Sequence, residues 1–269
     1  MRGAILGDIA GSLYEARPYR IKTKEFPLFS KNSRFTDDTV TTVAVADALI
    51  EAYREKKGLS IPLRKKMQYW CRKYPDAGYG PYFKKWFQTE AAKPYGSYGN
   101  GAAMRVSPVA WVGKSLPEVQ YLAELTAVVT HDTQEAITGA VAVASAIYLA
   151  RTKKNKDSIR SYIQQYYYPM EQSLDTIRLN YQFTSRTQES VPQGIEAFLE
   201  SENVEDSIRN AISLGGDSDT QAAIAASIAE AYYGGVPHTV WQDALQRLTP
   251  ELKEVLSIFE HIFKSQYSF

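Results

Sequence analysis

The sequence predicts an all-α protein, and three observations support this. Apolar residues recur at helical spacing through most of the 269 residues. No segment of roughly five to eight residues alternates as strands rich in Val, Ile and Thr do. Helix-start signals are also frequent, as at Ser115, a candidate N-cap followed by Pro117 in the first turn. The chain is therefore expected to fold as helices joined by loops.

The first predicted helix covers residues 3–16, where Ile5, Ile9 and Leu13 follow a helical period. Gly3, Gly7 and Gly11 are spaced by four, so they share one face of this helix. Such a row lets another backbone approach closely, and we interpret it as a site of tight helix packing.

The next segments are predicted from apolar periodicity and from helix-breaking residues. A loop rich in Pro and Lys covers 17–35, one helix follows Thr39, and another follows Pro62 and ends near Pro75. The stretch 78–101 is aromatic and glycine-rich and has no regular pattern. Loops as long as 17–35, 88–101 and 181–190 are usually functional or disordered in a compact domain.

The second half is predicted to be almost entirely helical. Helices are expected over 117–131 and over 133–151, where an alanine-rich, apolar segment suits a central buried helix. Further periodic segments occupy 156–168, 171–181, 188–200, 204–214, 219–233, 237–247 and 250–264. No linker or low-complexity tract divides the chain, so we expect a single domain over 1–269.

Composition narrows the functional classes. A hydrophobic content of 44% is enough for one large core, and a net charge of +1 argues against a nucleic-acid binder that relies on bulk positive potential. A single cysteine, Cys71, and three histidines make a conventional zinc centre improbable and exclude an intramolecular disulfide. Asp8 interrupts any apolar leader, and no segment reaches the roughly 20 apolar residues of a membrane span. We therefore expect a cytoplasmic protein without a membrane partner.

Two short acidic clusters stand near opposite ends of the chain. Thr36-Asp37-Asp38-Thr39 and Asp217-Ser218-Asp219-Thr220 each open a run that is predicted to be helical. A helix N-terminus stabilises one carboxylate, but two crowded carboxylates repel, and a hard divalent cation is the common remedy. Taken alone, each cluster is equally consistent with a simple helix cap. Their near-duplicate form, and Gly215-Gly216 directly before the second, favour a shared metal site.

The donor types of the clusters point to Mg²⁺, with Mn²⁺ as the alternative ion. Asp and Thr offer only oxygen, which both ions prefer in octahedral geometry. Six side chains are enough for two ions, and two neighbouring ions can polarise a substrate oxygen and lower the pKa of a water.

Five motifs in register resemble the ADP-ribosylglycohydrolase family. They are Gly7-Asp8-Ile9-Ala10-Gly11-Ser12 with Tyr14-Glu15, Phe35-Thr36-Asp37-Asp38-Thr39, Tyr98-Gly99-Asn100-Gly101-Ala102-Ala103-Met104-Arg105, Thr130-His131, and Leu214-Gly215-Gly216-Asp217-Ser218-Asp219-Thr220. The resemblance covers nearly the whole chain. It implies a compact orthogonal all-α bundle with two Mg²⁺ ions, which hydrolyses the bond between the anomeric carbon of ADP-ribose and an acceptor. Ser218 departs from the threonine often found there but keeps a hydroxyl.

The resemblance also implies roles for individual carboxylates and hydroxyls. The metal ligands it implies are Thr36, Asp37, Asp38, Asp217, Asp219 and Thr220, with the ions gripping the hydroxyls of the distal ribose. Glu15 and Asp38 are the implied catalytic carboxylates. The context Tyr14-Glu15 is similar to that of the branch acting on ADP-ribosyl-serine, in which this glutamate is catalytic and gates the metals. Taken without the resemblance, Glu15 is more typical of a solvated helix end.

Substrate-binding residues are also implied. The stretch Tyr95, Gly96, Ser97, Tyr98, Gly99, Asn100 and Gly101 resembles the loop that holds pyrophosphate and ribose, through backbone N–H groups. By composition alone it is also consistent with a plain loop. His131 resembles the histidine beside the distal ribose, although a histidine at a helix end more often belongs to the core. Asp8 is expected to support either the site or a helix contact without binding the metals or substrate itself. No motif chooses between Tyr181 and Phe183 as an adenine-stacking ring.

The predicted function is therefore Mg²⁺-dependent cleavage of an ADP-ribose glycosidic bond. The expected partner is an ADP-ribose-modified protein or another ADP-ribose conjugate, and a monomer is the default. Serine, arginine, O-acetyl and nucleic-acid-base linkages stay open, although Glu15 favours an oxygen-linked acceptor. Two alternatives are a non-catalytic ADP-ribose-binding protein on the same scaffold and a different two-metal hydrolase of nucleotides or phosphoesters.

Overall fold

The computed structural model describes residues 1–263, and this part of the chain is helical without a sheet. Its α-helices are α1 Arg2–Gly11, α2 Asp37–Glu55, α3 Ser60–Lys73, α4 Pro81–Gln88, α5 Gly101–Met104, α6 Val109–Val112, α7 Leu116–Val128, α8 Gln134–Arg151, α9 Lys156–Tyr166, α10 Leu174–Asn180, α11 Thr187–Leu199, α12 Val204–Ile212, α13 Ser218–Tyr233, α14 His238–Leu245 and α15 Pro250–Phe263. A 3₁₀ turn covers Arg17–Tyr19. The all-α prediction is confirmed.

Most helix boundaries lie close to the predicted ones because local caps set them. The hydroxyl of Ser115 accepts a hydrogen bond from the amide of Glu118 at the start of α7. Thr133 caps α8 in the same way, through the amide of Ala136. Such caps satisfy donors that the helix itself leaves without partners.

Several predicted boundaries differ from the observed ones. The first helix ends at Gly11 and not near residue 16, because Tyr14 bonds back to Gly11 and tightens the chain into a turn. Glu15 therefore lies in the connection after α1. The loop expected over 181–190 ends earlier, since α11 begins at Thr187. Helix α3 begins at Ser60, before Pro62, which its first turn accommodates.

The stretch 78–101, expected to be irregular, contains helix α4. Pro81 occupies its first turn, and Phe83, Trp86 and Phe87 form its buried face. This spacing of three and four residues is an ordinary amphipathic pattern. The apolar spacing is therefore typical of a helix, but the glycines around it favoured the prediction of an irregular segment.

The glycine row of α1 is a site of tight helix packing, as predicted, and the structure shows that its partner is α13. A Cβ atom on Gly3 would overlap the carbonyl oxygen of Ala226, and one on Gly7 would overlap that of Ala222. At Gly11 the neighbour is the backbone of Asp219. Because these positions lack side chains, the two helix backbones lie in direct contact, and the start of α13 is brought to the end of α1.

Helices α2, α8 and α13 form the centre of the molecule. Alanines provide much of their buried surface, and α13 is buried from Ser218 to Ala231. Apolar side chains from α1 through α15 join one hydrophobic cluster. Over the described residues, no helix combines the length and apolar character that crossing a membrane requires.

Candidate active site

A cavity of about 410 Å³ opens where α2 and α13 begin. The starts of both helices, α4, the loop before α5 and the segment around Phe183 form its walls. The predicted residues that line it are Glu15, Asp37, Asp38, Tyr95, Ser97, Gly99, Asn100, Gly101, His131, Asp217, Asp219 and Thr220. Thr36, Gly96 and Tyr98 lie outside its lining. Residues more than 200 positions apart in sequence, such as Glu15 and Asp217, thus share one cavity.

The first acidic cluster is held in place by Asp8. Thr36 is the N-cap of α2, and its amide and hydroxyl donate to the Asp8 carboxylate at 2.9 and 2.6 Å. The amide of Thr39 donates to the same carboxylate at 3.0 Å, and so does its hydroxyl. Asp8 is fully buried. It therefore fixes the N-terminus of α2 against α1, which is the supporting position expected for it.

The second cluster follows a glycine turn. Gly215 has φ +66°, a left-handed conformation that favours glycine. A side chain on Gly216 would overlap the ring of Tyr181. The turn delivers Asp217 to the cavity, where Asn100 donates to its Oδ2 at 2.8 Å from the glycine loop. Asp217 is thereby oriented by a residue more than 100 positions away.

The two clusters meet at Thr220. Its hydroxyl lies 3.4 Å from Oδ1 of Asp38, across the gap between α13 and α2. The amide of Thr220 donates to Asp219 Oδ1 at 2.9 Å, which orients that carboxylate at the start of the helix. The sequence echo between the clusters therefore corresponds to a spatial pairing.

The carboxylates present a set of oxygens suited to a hard cation. Glu15, Asp217 and Asp219 each offer an oxygen, and these three oxygens lie within 4.8 Å of one another. Asp38 lines the same cavity, and its buried Oδ2 has no hydrogen-bond partner among residues 1–263. A buried carboxylate oxygen without a donor is costly unless a cation lies nearby. The donor set thus fits Mg²⁺ or Mn²⁺ rather than a soft metal.

Crowding and burial raise the pKa values of these carboxyls. Burial, with the neighbouring carboxyls of Asp8 and Asp217, raises the pKa of Asp37 to about 8. Burial is also the main cause of the raised pKa of Asp38 and Asp219, followed by the charges around them. The protein alone therefore resists full ionisation here, and a divalent cation would remove that penalty.

The glycine loop uses several of its own amides inside the protein. The amides of Tyr95 and Gly96 donate to the Thr130 carbonyl and to Asp132 Oδ1. Those of Gly99 and Asn100 donate to Ser97 Oγ and to the Ser185 carbonyl. These four N–H groups serve to shape the loop. A pyrophosphate contact through backbone amides would have to use the loop's other N–H groups.

Of the two aromatic candidates, Phe183 lines the cavity. The Tyr181 ring packs against Gly216, and its hydroxyl donates to the Glu189 carbonyl at 2.6 Å and accepts from the Gln221 amide at 2.9 Å. Tyr181 therefore supports the turn before Asp217, and Phe183 is the one of the pair that a bound ligand can reach.

Arg20 is a residue that the sequence did not indicate. Its Nε donates to the main-chain carbonyl of Glu15 at 2.8 Å, and its guanidinium lies 4.2 Å from the ring centre of Phe183. It thus links the segment that carries Glu15 to Phe183, and both of these residues line the cavity. Because the contact spans more than 160 positions and involves no motif, no local pattern would have revealed it.

Comparisons with known proteins identify the family. The family model described as ADP-ribosylglycohydrolase matches residues 1–267. ADP-ribosylhydrolase ARH3 of Homo sapiens is 29% identical, over 91% of this chain and 88% of its own. The Gallus gallus ARH3 is 26% identical, over 97% of this chain and 91% of its own.

A solved structure shares the fold. An ADP-ribosylglycohydrolase-related protein complex superposes with a TM-score of 0.72 at 21% identity, covering 97% of this chain and 94% of that one. The family match, which spans almost the whole sequence, decides the assignment. The chain belongs to the ADP-ribosylglycohydrolase family of hydrolases, as its motifs predict.

Proposed function

We propose that this protein hydrolyses the glycosidic bond between ADP-ribose and an acceptor, at a centre of two Mg²⁺ ions. The observation that carries the proposal is the convergence of Glu15, Asp217 and Asp219 within 4.8 Å, in the cavity that is also lined by Asp38. Within the described part of the chain, Asp38 Oδ2 has no hydrogen-bond partner. The names of the relatives, ADP-ribosylhydrolase ARH3, agree with this activity. We infer that residues 1–269 form one domain, which the single hydrophobic cluster of the described part supports.

The ions would be held by the oxygens of Thr36, Asp37, Asp38, Asp217, Asp219 and Thr220. When bound, they supply positive charge that orients the ribose hydroxyls and offsets the charge of the carboxylates. Manganese has the same ligand preference and is the alternative ion.

The protein's own groups account for the bond cleavage. The bond between C1 of the distal ribose and the acceptor atom breaks through a state that resembles an oxocarbenium ion, and nearby carboxylates such as Asp38 stabilise its positive charge. A water molecule adds to C1 and gives a proton to Glu15, which lies in the cavity beside Asp217. Glu15 passes this proton to the departing acceptor atom, so the products are ADP-ribose and the free acceptor.

The substrate is proposed to be an ADP-ribosylated protein side chain or a related conjugate. Burial and the Asp217 carboxyl raise the pKa of Glu15, and a raised pKa favours a carboxyl that can deliver a proton as well as accept one. A carboxylate that delivers a proton is more useful to an alkoxide leaving group than to a guanidinium. We therefore propose an oxygen-linked acceptor.

A substrate panel tests the function. Purified protein is incubated with an ADP-ribosyl-serine peptide, ADP-ribosyl-arginine and a simple phosphoester, each with MgCl₂ or with EDTA, and ADP-ribose release is measured. We expect release from the serine peptide only with Mg²⁺. Phosphoester cleavage without ADP-ribose release would establish a different two-metal hydrolase, and ADP-ribose binding without any turnover would establish a non-catalytic binder.

A pair of double variants tests the metal site. Asp217→Ala with Asp219→Ala should abolish Mg²⁺-dependent release. The matched control is Asp157→Ala with Asp175→Ala, because both aspartates lie in the first turn of a helix, α9 and α10, outside the cavity. The control should keep full turnover. Equal turnover in the two double variants would refute the metal site.

A further inference from the structure

Three buried residues form a hydrogen-bonded chain in the cavity wall that the reaction above does not use. Arg105 is 1% exposed, Thr130 is fully buried and His131 is 4% exposed. Arg105 NH2 donates to the Thr130 hydroxyl at 2.7 Å and to the Thr126 carbonyl at 2.9 Å. The Thr130 hydroxyl lies 2.6 Å from His131 Nδ1.

Only one assignment of donors and acceptors is consistent along the hydrogen bonds from Arg105 through Thr130 to His131. A guanidinium can only donate, so the Thr130 oxygen accepts from Arg105. The hydroxyl hydrogen then needs an acceptor, and among the described residues His131 Nδ1 is the acceptor within reach. If Nδ1 carried a proton, the buried hydroxyl hydrogen would have no partner, which is costly. Nδ1 is therefore the acceptor.

The other ring nitrogen consequently carries the proton. A neutral imidazole has one N–H, and when Nδ1 accepts, that N–H is on Nε2. Burial and the positive charge of Arg105 lower the pKa of His131, so the ring stays neutral. Nε2 faces the glycine loop, since a Cβ on Gly101 would lie 3.1 Å from it.

The edge contact of Tyr95 further restricts the ring. The two ring centres are 5.6 Å apart, and the planes are inclined by 60°. With Nδ1 held by Thr130 and the Tyr95 ring in edge contact, the imidazole cannot turn without losing both contacts. The remaining nitrogen is thus presented to the cavity in a fixed direction.

We propose that Arg105 and Thr130 are positioning residues that hold His131 as the Nε2–H tautomer, a fixed hydrogen-bond donor to an oxygen of the ADP-ribosyl group. This inference rests on the proposed function for its ligand, but the tautomer is a property of the protein alone. A ring that is neutral, with its basic nitrogen occupied by Thr130, does not take up the proton from water, and this task belongs to a carboxylate.

Nitrogen NMR tests the tautomer without any turnover. The ¹⁵N-labelled full chain with MgCl₂ is examined by long-range ¹H–¹⁵N correlation at neutral pH. The chain has three histidines, and the spectrum of His131→Gln identifies the signals of His131. We expect a protonated Nε2 and an unprotonated, hydrogen-bonded Nδ1. A protonated Nδ1, or protonation of both nitrogens, would overturn the proposal even if the protein were an active hydrolase.

Substitutions of Thr130 test whether it positions His131. Thr130→Val removes the hydroxyl and should shift His131 toward a mixture of tautomers, while raising KM for the ADP-ribosyl substrate about five- to tenfold with a smaller change in kcat. Thr130→Ser should restore both readouts. An unchanged tautomer and KM in Thr130→Val would overturn the proposal, and the wild-type spectrum decides it if this variant does not fold.

Thr126→Val is the matched control. Thr126 is buried one turn earlier in α7, and its hydroxyl donates to the Ala123 carbonyl. Arg105 contacts only its main-chain oxygen, which the substitution keeps. The tautomer and KM should stay as in wild type. A change in Thr126→Val equal to that in Thr130→Val would show a general packing effect and contradict a specific role for Thr130.

Discussion

The carboxylate of Asp8 binds both the amide and the hydroxyl of Thr36, the N-cap of α2. Asp8 lies on α1, whose glycine face packs against α13. The start of α2 is thus fixed to the same helix that fixes the start of α13. One short helix therefore sets the distance between the two acidic clusters.

The first prediction concerns Asp8→Ala. The substitution removes the acceptor of four hydrogen bonds from Thr36 and Thr39, and it leaves buried donors without partners. We expect a loss of about 2–4 kcal/mol in the free energy of unfolding, measured by urea titration in EDTA. Asp206→Ala is the control, since Asp206 accepts from the Glu202 amide at the start of α12, outside the cavity. A loss in Asp8→Ala no larger than in the control would contradict this role.

The second prediction concerns Gly7→Ala. The added methyl group would overlap the Ala222 carbonyl and force α1 away from α13. We expect destabilisation of about 3 kcal/mol or more and weaker Mg²⁺ binding by calorimetry, because α13 begins with metal-ligand candidates. Gly58→Ala is the control: a Cβ there meets no atom within 4 Å, so its stability should be equal or slightly higher. Equal melting temperatures for the two variants would exclude tight packing at Gly7.

The third prediction concerns pH and stability without metal. Asp37 has a folded-state pKa of about 8, well above its value in an unfolded chain, so the folded protein binds more protons than the unfolded one. Its stabilising contribution is therefore lost as pH rises through about 8. Since the unfolded carboxyl is already ionised above about pH 4, the melting temperature in EDTA should fall with rising pH up to about 8 and level off above it. The buried His131, whose pKa is lowered, acts in the opposite direction only at lower pH.

Two comparisons check this prediction by scanning fluorimetry. Saturating MgCl₂ should raise the melting temperature more at the alkaline end than at neutral pH, because the cation offsets the charge that appears there. Asp37→Asn should flatten the dependence measured in EDTA. A melting temperature that rises with pH over this range in the metal-free protein would show that the crowded carboxyls do not govern stability.

The fourth prediction concerns Arg20→Met. Losing the bond to the Glu15 carbonyl and the contact with Phe183 should loosen the connection that carries Glu15. We expect kcat to fall about tenfold, consistent with a small displacement of a catalytic group. Arg209→Met is a close control, since Arg209 binds the carbonyls of Lys24 and Phe26 and lies 5.0 Å from the Phe26 ring, outside the cavity. A similar fall in kcat for both would point to general loosening of the segment.

Local signals explain how much of the fold the sequence predicted. Caps such as Ser115 and Thr133 act over three residues, and periodicity indicates which face of a helix is buried. The predicted bounds of α7 and α8 therefore lie close to the observed ones. The metal site was predicted because two nearly identical acidic motifs occur in the sequence, which favours a shared role over two separate helix caps. Arg20 was not predicted, because no sequence motif links it to the Glu15 carbonyl or to the Phe183 ring. Only the folded structure brings Arg20 and the Phe183 ring together. The tautomer of His131 likewise depends on Arg105, 26 positions earlier.

The last prediction separates binding from catalysis at Glu15. Glu15→Gln keeps the size of the side chain and an oxygen ligand but removes the group that takes a proton. We expect turnover to fall by about 10²–10⁴-fold while ADP-ribose binding, measured by calorimetry with Mg²⁺, changes only a few-fold. Glu25→Gln provides the control, because Glu25 is an exposed glutamate after the same helix.

Wild-type turnover in Glu15→Gln would show that Glu15 has no role in catalysis. A large loss of ADP-ribose affinity with a proportionate loss of turnover would instead show that Glu15 serves mainly to hold the ions, because Asp217 and Asp219 lie within ligand distance of it. The two readouts together therefore decide whether this carboxylate moves a proton or only completes the metal site.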